Sequence, residues 1–120
     1  MSNKVYLGDD GFIHVHPIGD QTYETAKQSV QETAQLIDAV RKQNKPIKVL
    51  TDLTKMGKQD SGARRGGYEG FMGLDFDKFA LLGGGIFLRN VVGLIIKASR
   101  LGHKVKVFNR KEDAVGWLGS

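Results

Sequence analysis

Ile47-Lys48-Val49-Leu50-Thr51-Asp52-Leu53-Thr54-Lys55-Met56-Gly57-Lys58-Gln59-Asp60-Ser61-Gly62-Ala63-Arg64-Arg65-Gly66-Gly67 is the stretch on which the reading of this chain turns. It opens with the composition of a buried strand, Ile47 to Leu50. It leaves the apolar region at Thr51-Asp52 and crosses a basic loop. It re-enters order at Asp60-Ser61-Gly62, where a carboxylate or hydroxyl can accept from the free amides of a first helical turn. In an open α/β sheet, ligand sites and switches lie just past the carboxyl ends of strands. The residues alone identify a site here without saying what it does.

Upstream of this unit the pattern is a hairpin and a helix. Lys4–Leu7 reads as a short strand, Gly8-Asp9-Asp10-Gly11 as a turn, and Phe12–His16 as the return strand, closed by Pro17. His14 and His16 share one face of that strand. Two histidines are half a metal site, and no third ligand stands at a recognisable spacing. Gly19-Asp20-Gln21 reads as a loop, with Thr22 as the cap of the helix that follows. Tyr23, Ala26, Val30, Thr33, Ala34, Ile37 and Val40 recur at steps of three and four, the stripe of an amphipathic helix.

Downstream, Gly62, Gly66, Gly67, Gly70 and Gly73 crowd the segment after Asp60. Each costs ~1 kcal/mol relative to alanine in a helix interior, so packing must hold the segment if it is helical. Gly66, Gly70 and Gly73 with Ala63 form a face of small residues, open to close approach by another backbone or by a ligand. Tyr68, Phe71 and Met72 would wall that space. Lys78–Leu82 is the next strand, followed by Gly83-Gly84-Gly85. No Lys-Ser/Thr pair follows these glycines and Leu88 stands where a dinucleotide-binding loop needs its third glycine, so a nucleotide loop is excluded.

Ile86–Leu101 reads as a second long helix. Arg89, Asn90, Gly93, Lys97 and Arg100 share one arc, and nearly everything else is apolar. The row Leu88, Val92 and Ile96 is more apolar surface than a helix lying on a sheet needs. It suits a neighbouring helix, a second subunit, an apolar ligand or a membrane interface. Lys104–Phe108 is the last strand, and Asn109 is placed to cap a closing helix, Arg110–Leu118. Strands alternating with helices in this order argue for a mainly parallel sheet, its first strand antiparallel in a hairpin.

The 120 residues suit one domain, 1–120. There is no cysteine, which removes disulfides and thiol chemistry. No secretory signal or membrane-spanning run is recognisable, so cytoplasmic residence is the expectation. The formal net charge is +5. Residues 1–60 hold eight Lys/Arg and eight Asp/Glu, whereas 61–120 hold ten and five, so the excess lies in the second half and suits an anionic partner. A nucleic acid has only this net charge in its favour, with no recognisable module. There is no G-x-S-x-G elbow, no metal-ligand spacing and no paired carboxylates, so an enzyme is not expected, and neither is a cofactor.

Four pieces carry a family resemblance: Tyr6–Gly11 (Y-L-G-D-D-G), Gly19–Glu24 (G-D-Q-T-Y-E), Asp52–Arg64 (D-L-T-K-M-G-K-Q-D-S-G-A-R) and Glu112–Leu118 (E-D-A-V-G-W-L). With the order of elements, they resemble the STAS domain of bacterial anti-sigma-factor antagonists and the small stand-alone STAS-like proteins. The resemblance implies an α/β fold, a five-stranded mixed, mainly parallel sheet with four helices. It implies a non-enzymatic regulatory module. It also places a phosphorylation site at Ser61, before Gly62, where the family motif reads Asp-Ser-Ser-Gly and this chain has one serine fewer. Related folds include the CRAL-TRIO carriers, which hold an apolar ligand.

The residues add a physical reading at the same place. A helix N-terminus favours anions, whereas Arg64 and Arg65 in the first turn oppose its dipole unless an anion sits there. Thr54, Lys55, Lys58, Ser61, Gly62, Arg64 and Arg65 are therefore the candidate anion or phosphate site. Tyr68, Phe71, Met72, Leu88, Val92 and Ile96 are the candidate apolar-ligand or dimer surface. Two functions follow: a binding module recognising a protein or anionic partner through the Asp52–Tyr68 edge, or a carrier of a fatty acid or phospholipid whose head meets Lys58, Arg64 and Arg65. A homodimer and a peripheral membrane contact are the further partner expectations.

Overall fold

The computed structural model describes residues 2–85, 93 and 101–120. Strands β1 (Lys4–Leu7), β2 (Ile13–His16), β4 (Lys48–Asp52), β6 (Lys78–Leu82) and β7 (Val105–Phe108) form one sheet in the order β1-β2-β4-β6-β7. Only β1 runs antiparallel to its neighbour; β2, β4, β6 and β7 are mutually parallel. Helices α1 (Tyr23–Lys42) and α2 (Ser61–Met72) cover one face, and α3 (Lys111–Gly119) packs against β4, β6 and β7 on the other. These three are the helices among the described residues. Of the helix expected over Ile86–Leu101, the row Leu88, Val92 and Ile96 lies outside the described residues.

Alternation along the strands builds two cores. Ile13, Val15, Val49 and Phe79 point to the α1 side and meet Ile37 and Val40. Leu50, Ala80 and Leu82 point to the other side and meet Ala114 and Leu118. The hairpin turns on Gly11, whose φ of 84° belongs to the left-handed region that glycine tolerates.

Two segments expected as loops are strands. β3 (Gly19–Gln21) and β5 (Met56–Gln59) form a separate two-stranded parallel ladder, with Gln21 opposite Gln59. Neither has strand composition. Their pairing is held by the Lys58 amide donating to the Asp20 carboxylate at 2.8 Å and the Gly19 amide donating to the Lys55 carbonyl at 2.9 Å. Gly57 is required there, because a Cβ would run into the Asp20 carboxylate and the Gly19 backbone.

Thr22 caps α1 reciprocally with Thr25: each backbone amide donates to the other residue's hydroxyl. The buried stripe is Ser29, Thr33, Ile37 and Val40: the last three belong to the expected row, and Ser29 stands in place of Val30. Ser29 takes an inward place because Asn3 donates to its hydroxyl at 2.8 Å, while Asn3 also bonds Gln21 and the Ile18 amide. Val30 instead faces α2. At the other end of the chain, α3 begins after Arg110 rather than Asn109, and no side chain caps it.

Candidate functional site

α2 is a regular helix despite its glycines, because Gly62, Gly66 and Gly70 fit against α1. A Cβ on Gly66 would stand 3.0 Å from the Tyr23 ring and 3.2 Å from the Tyr23 carbonyl. One on Gly70 would stand 2.5 Å from a Val30 methyl. The face of small residues is thus closed by Tyr23 and Val30. Gly73 does not share it and serves as the C-cap. Phe71 turns into the core, edge-on to Phe79 at 5.1 Å between centroids and tilted on Phe76 at 5.6 Å. Tyr68 and Met72 point outward, 48% and 45% exposed, as an apolar pair on the outer face of α2.

The N-terminus of α2 is held open to solvent. Asp60 is the N-cap, its carboxylate accepting from the Ala63 amide at 2.7 Å, and Ser61 follows as the exposed first helical residue. Gly62 lies against the Tyr23 Cβ. Arg65 is drawn over the Tyr23 ring, 5.1 Å from its centroid, with Lys27 at 5.2 Å. Arg64 and Lys58 are exposed and make no ion pair with a described residue. The edge therefore displays Lys55, Lys58, Ser61 and Arg64, whereas Arg65 is engaged with α1.

One cluster at the carboxyl end of the sheet escapes a reading of the sequence alone. Val15 pairs with Thr51, so His16 and Asp52 end neighbouring strands side by side. His16 Nδ1 stands 3.7 Å from Asp52 Oδ2, and Tyr6 Oη stands 3.4 Å from His16 Nε2. The other Asp52 oxygen accepts from the Thr54 amide at 2.9 Å and the Thr54 hydroxyl at 2.5 Å. Tyr6, His14 and His16 form a parallel stack, with centroids 5.0 to 6.2 Å apart. His14 is itself paired with Asp10 at 2.9 Å. Burial pushes the His16 pKa below the ordinary imidazole value; Asp52 opposes this, and His14, Lys55 and Lys111 add to it. Burial alone would raise the Asp52 carboxyl. The two Thr54 hydrogen bonds, with His16 and Lys111, outweigh burial and hold it below its ordinary value. The signal available beforehand was two histidines on one face and an aspartate at a strand end; the missing information was the strand order.

Thr54 also joins the turn to the next strand. The Leu53 amide donates to the Leu82 carbonyl at 2.8 Å, and the Thr54 methyl lies 3.1 Å from the place of a Cβ on Gly83. Gly83, Gly84 and Gly85 all have positive φ, 83°, 89° and 72°. Among the described residues no group of three His, Cys, Asp or Glu is placed to hold a metal, and no helix is long and apolar enough to cross a membrane.

A family model described as SpoIIAA-like matches residues 12–119. A crystal structure of a Shewanella loihica PV-4 protein with a SpoIIAA-like fold superposes with a TM-score of 0.65 at 21% identity, covering 98% of this chain and 92% of that one. The anti-sigma factor antagonist SpoIIAA in its unphosphorylated form superposes with a TM-score of 0.59 at 10% identity, covering 93% and 92%. At these identities the two structures establish the fold. No curated protein matches the sequence.

Proposed function

The chain belongs to the SpoIIAA-like family, and from that premise we propose that it is a regulatory module that binds a protein partner through its Asp52–Tyr68 edge. The observation that carries this reading is a row of exposed polar and basic side chains, Lys55, Lys58, Ser61 and Arg64, displayed on a braced frame. β3 fixes β5, and the packing of Gly66 and Gly70 on α1 fixes α2. Ser61 is the modification point of this reading. A phosphate there would bring about −1.5 to −2 charge to the positive end of a helix, one turn from Arg64. It would convert a basic edge into a mixed one and so change which partner fits.

The carrier reading has less support. The space under the small-residue face is taken by Tyr23 and Val30, and Phe71 belongs to the core, so among the described residues α1 and α2 leave no room for an acyl chain between them.

Site-specific photocrosslinking tests the proposal. A crosslinker at Lys58 or Tyr68 is expected to give discrete protein adducts in cells, lost when Ser61→Glu is added. The same crosslinker at Asp38, on the outer face of α1, is expected to give none. Equal adducts at all three positions, or none at the edge, would refute the assignment.

A further inference from the structure

We propose that His16 is a proton-operated switch for the Asp52–Thr54 turn, with which the candidate recognition edge begins. The geometry is a divided carboxylate. One oxygen of Asp52 is saturated by Thr54, and the other faces His16 across 3.7 Å. That gap is about 1 Å longer than a charge-assisted hydrogen bond. With the single proton of a neutral imidazole on Nε2, toward the Tyr6 hydroxyl, Nδ1 has no donor to close it. A proton on His16 creates an attraction that closing the gap satisfies, and the carboxylate can close it only by drawing away from Thr54 or taking the turn along.

The surroundings narrow what can answer the proton. Facing His16 are Tyr6 and the register partner Lys4 from β1, His14 from β2, Asp52 from β4, Lys55 from the turn and Lys111 from α3. Asp52 is the carboxylate among them, so it is the anion an imidazolium at this place meets among the described residues. The ring is flanked in parallel by Tyr6 and His14, at 5.7 and 6.2 Å between centroids, and bonded at Nε2 to the Tyr6 hydroxyl, so moving toward Asp52 would cost it those contacts. Movement therefore falls to Asp52. Beyond it, Thr54 rests on the Gly83 turn and leads directly into Lys55 and β5. As a control on partner binding, this switch rests on the function proposed above. As a motion of the turn, it does not.

The test is an NMR titration of the whole chain from pH 8 to 5, following the His16 ring and the Thr54 amide. The Thr54 amide is expected to move with the same midpoint as the His16 ring, below the ordinary imidazole value of about 6.5. In His16→Gln that movement is expected to vanish. Linkage supplies a reciprocal test: if the proton loosens Thr54, removing the Thr54 hydroxyl must strengthen the proton's binding. Thr54→Val, which keeps the methyl against Gly83, is expected to raise the His16 midpoint by several tenths of a pH unit. A Thr54 amide that stays still while His16 titrates, one that still moves in His16→Gln, or an unchanged midpoint in Thr54→Val overturns the switch. Should His16→Gln fail to fold, the wild type and Thr54→Val decide alone. Edge crosslinks that fail while these shifts appear would refute the recognition edge and leave the switch standing.

Discussion

Gly67→Ala and Gly70→Ala are neighbouring substitutions of one residue type in one helix, and they should act in opposite directions. Both gain ~1 kcal/mol of helix propensity. At Gly67 nothing lies within 4 Å of the new Cβ, so the gain is realised. At Gly70 the new atom stands 2.5, 2.6 and 2.9 Å from the two methyls and Cβ of Val30. A β-branched residue in a helix is nearly confined to one rotamer, so Val30 cannot swing aside and the helices must separate. Overpacking of this kind costs ~1–3 kcal/mol. With three clashing atoms the upper part of that range applies, and the net loss is ~2 kcal/mol. The variants should therefore differ by ~3 kcal/mol, roughly 10 °C in Tm for a chain of this length. Urea denaturation followed by circular dichroism measures the difference directly. Adding Val30→Ala to Gly70→Ala should return at least ~1 kcal/mol as coupling between the sites. If Gly70→Ala is as stable as Gly67→Ala, or Val30→Ala rescues nothing, the glycines of α2 are not there to admit α1.

Further outcomes follow from the caps and the charges. Asp60→Ala removes the acceptor of the Ala63 amide and should cost ~1 kcal/mol, read as a lowered urea midpoint. Asn3→Ala takes the partner from the Ser29 hydroxyl and the Ile18 amide, while Gln21 keeps Thr25 and the Ile18 and Gly19 carbonyls; it should cost ~1–3 kcal/mol and speed hydrogen exchange at Ile18. Acid should destabilise the fold in two windows. The unfolded state takes up a proton on His16 first, because the folded pKa is depressed, so stability falls as pH drops from about 6.5 toward the lower folded value. Asp52, also depressed, contributes stability that is complete above its ordinary value near 3.8 and is lost as pH falls through the folded value. Melts at a series of pH values should show His16→Gln flattening the first window and Asp52→Asn the second.

Much of this architecture was legible because local chemistry and tertiary context agree. The hairpin at Gly8–Gly11, the strand at Lys78–Leu82 and the cap at Thr22 are each specified by a few adjacent residues. The ladder of β3 and β5 was not, because Gly-Asp-Gln and Met-Gly-Lys-Gln carry no period, and what joins them, the Asp20 carboxylate and the Gly19 amide, reaches across the chain. Nor was the inward Ser29, which looks solvated until Asn3 is brought to it across the fold. At the site, the exposed start of α2 could be placed from Asp60-Ser61-Gly62 alone. The engagement of Arg65 with Tyr23 and the meeting of His16 with Asp52 depend on strand order and helix docking, which single-sequence periodicity does not contain.

The paired strands that precede the two helices have a consequence for how this chain can vary. Gln21 and Gln59 stand opposite each other, and each is followed at once by the residue that caps its helix, Thr22 and Asp60. The angular phase of α2 against α1 is therefore counted off from that pair. Losing one residue between Gln59 and Ala63 would turn α2 by about 100° about its axis and carry Gly66 and Gly70 away from Tyr23 and Val30. A changed side chain in this run costs a cap or a close contact, whereas a changed length turns the whole helix: drift among descendants should be recorded there as substitutions, with insertions and deletions displaced to the far ends of the helices.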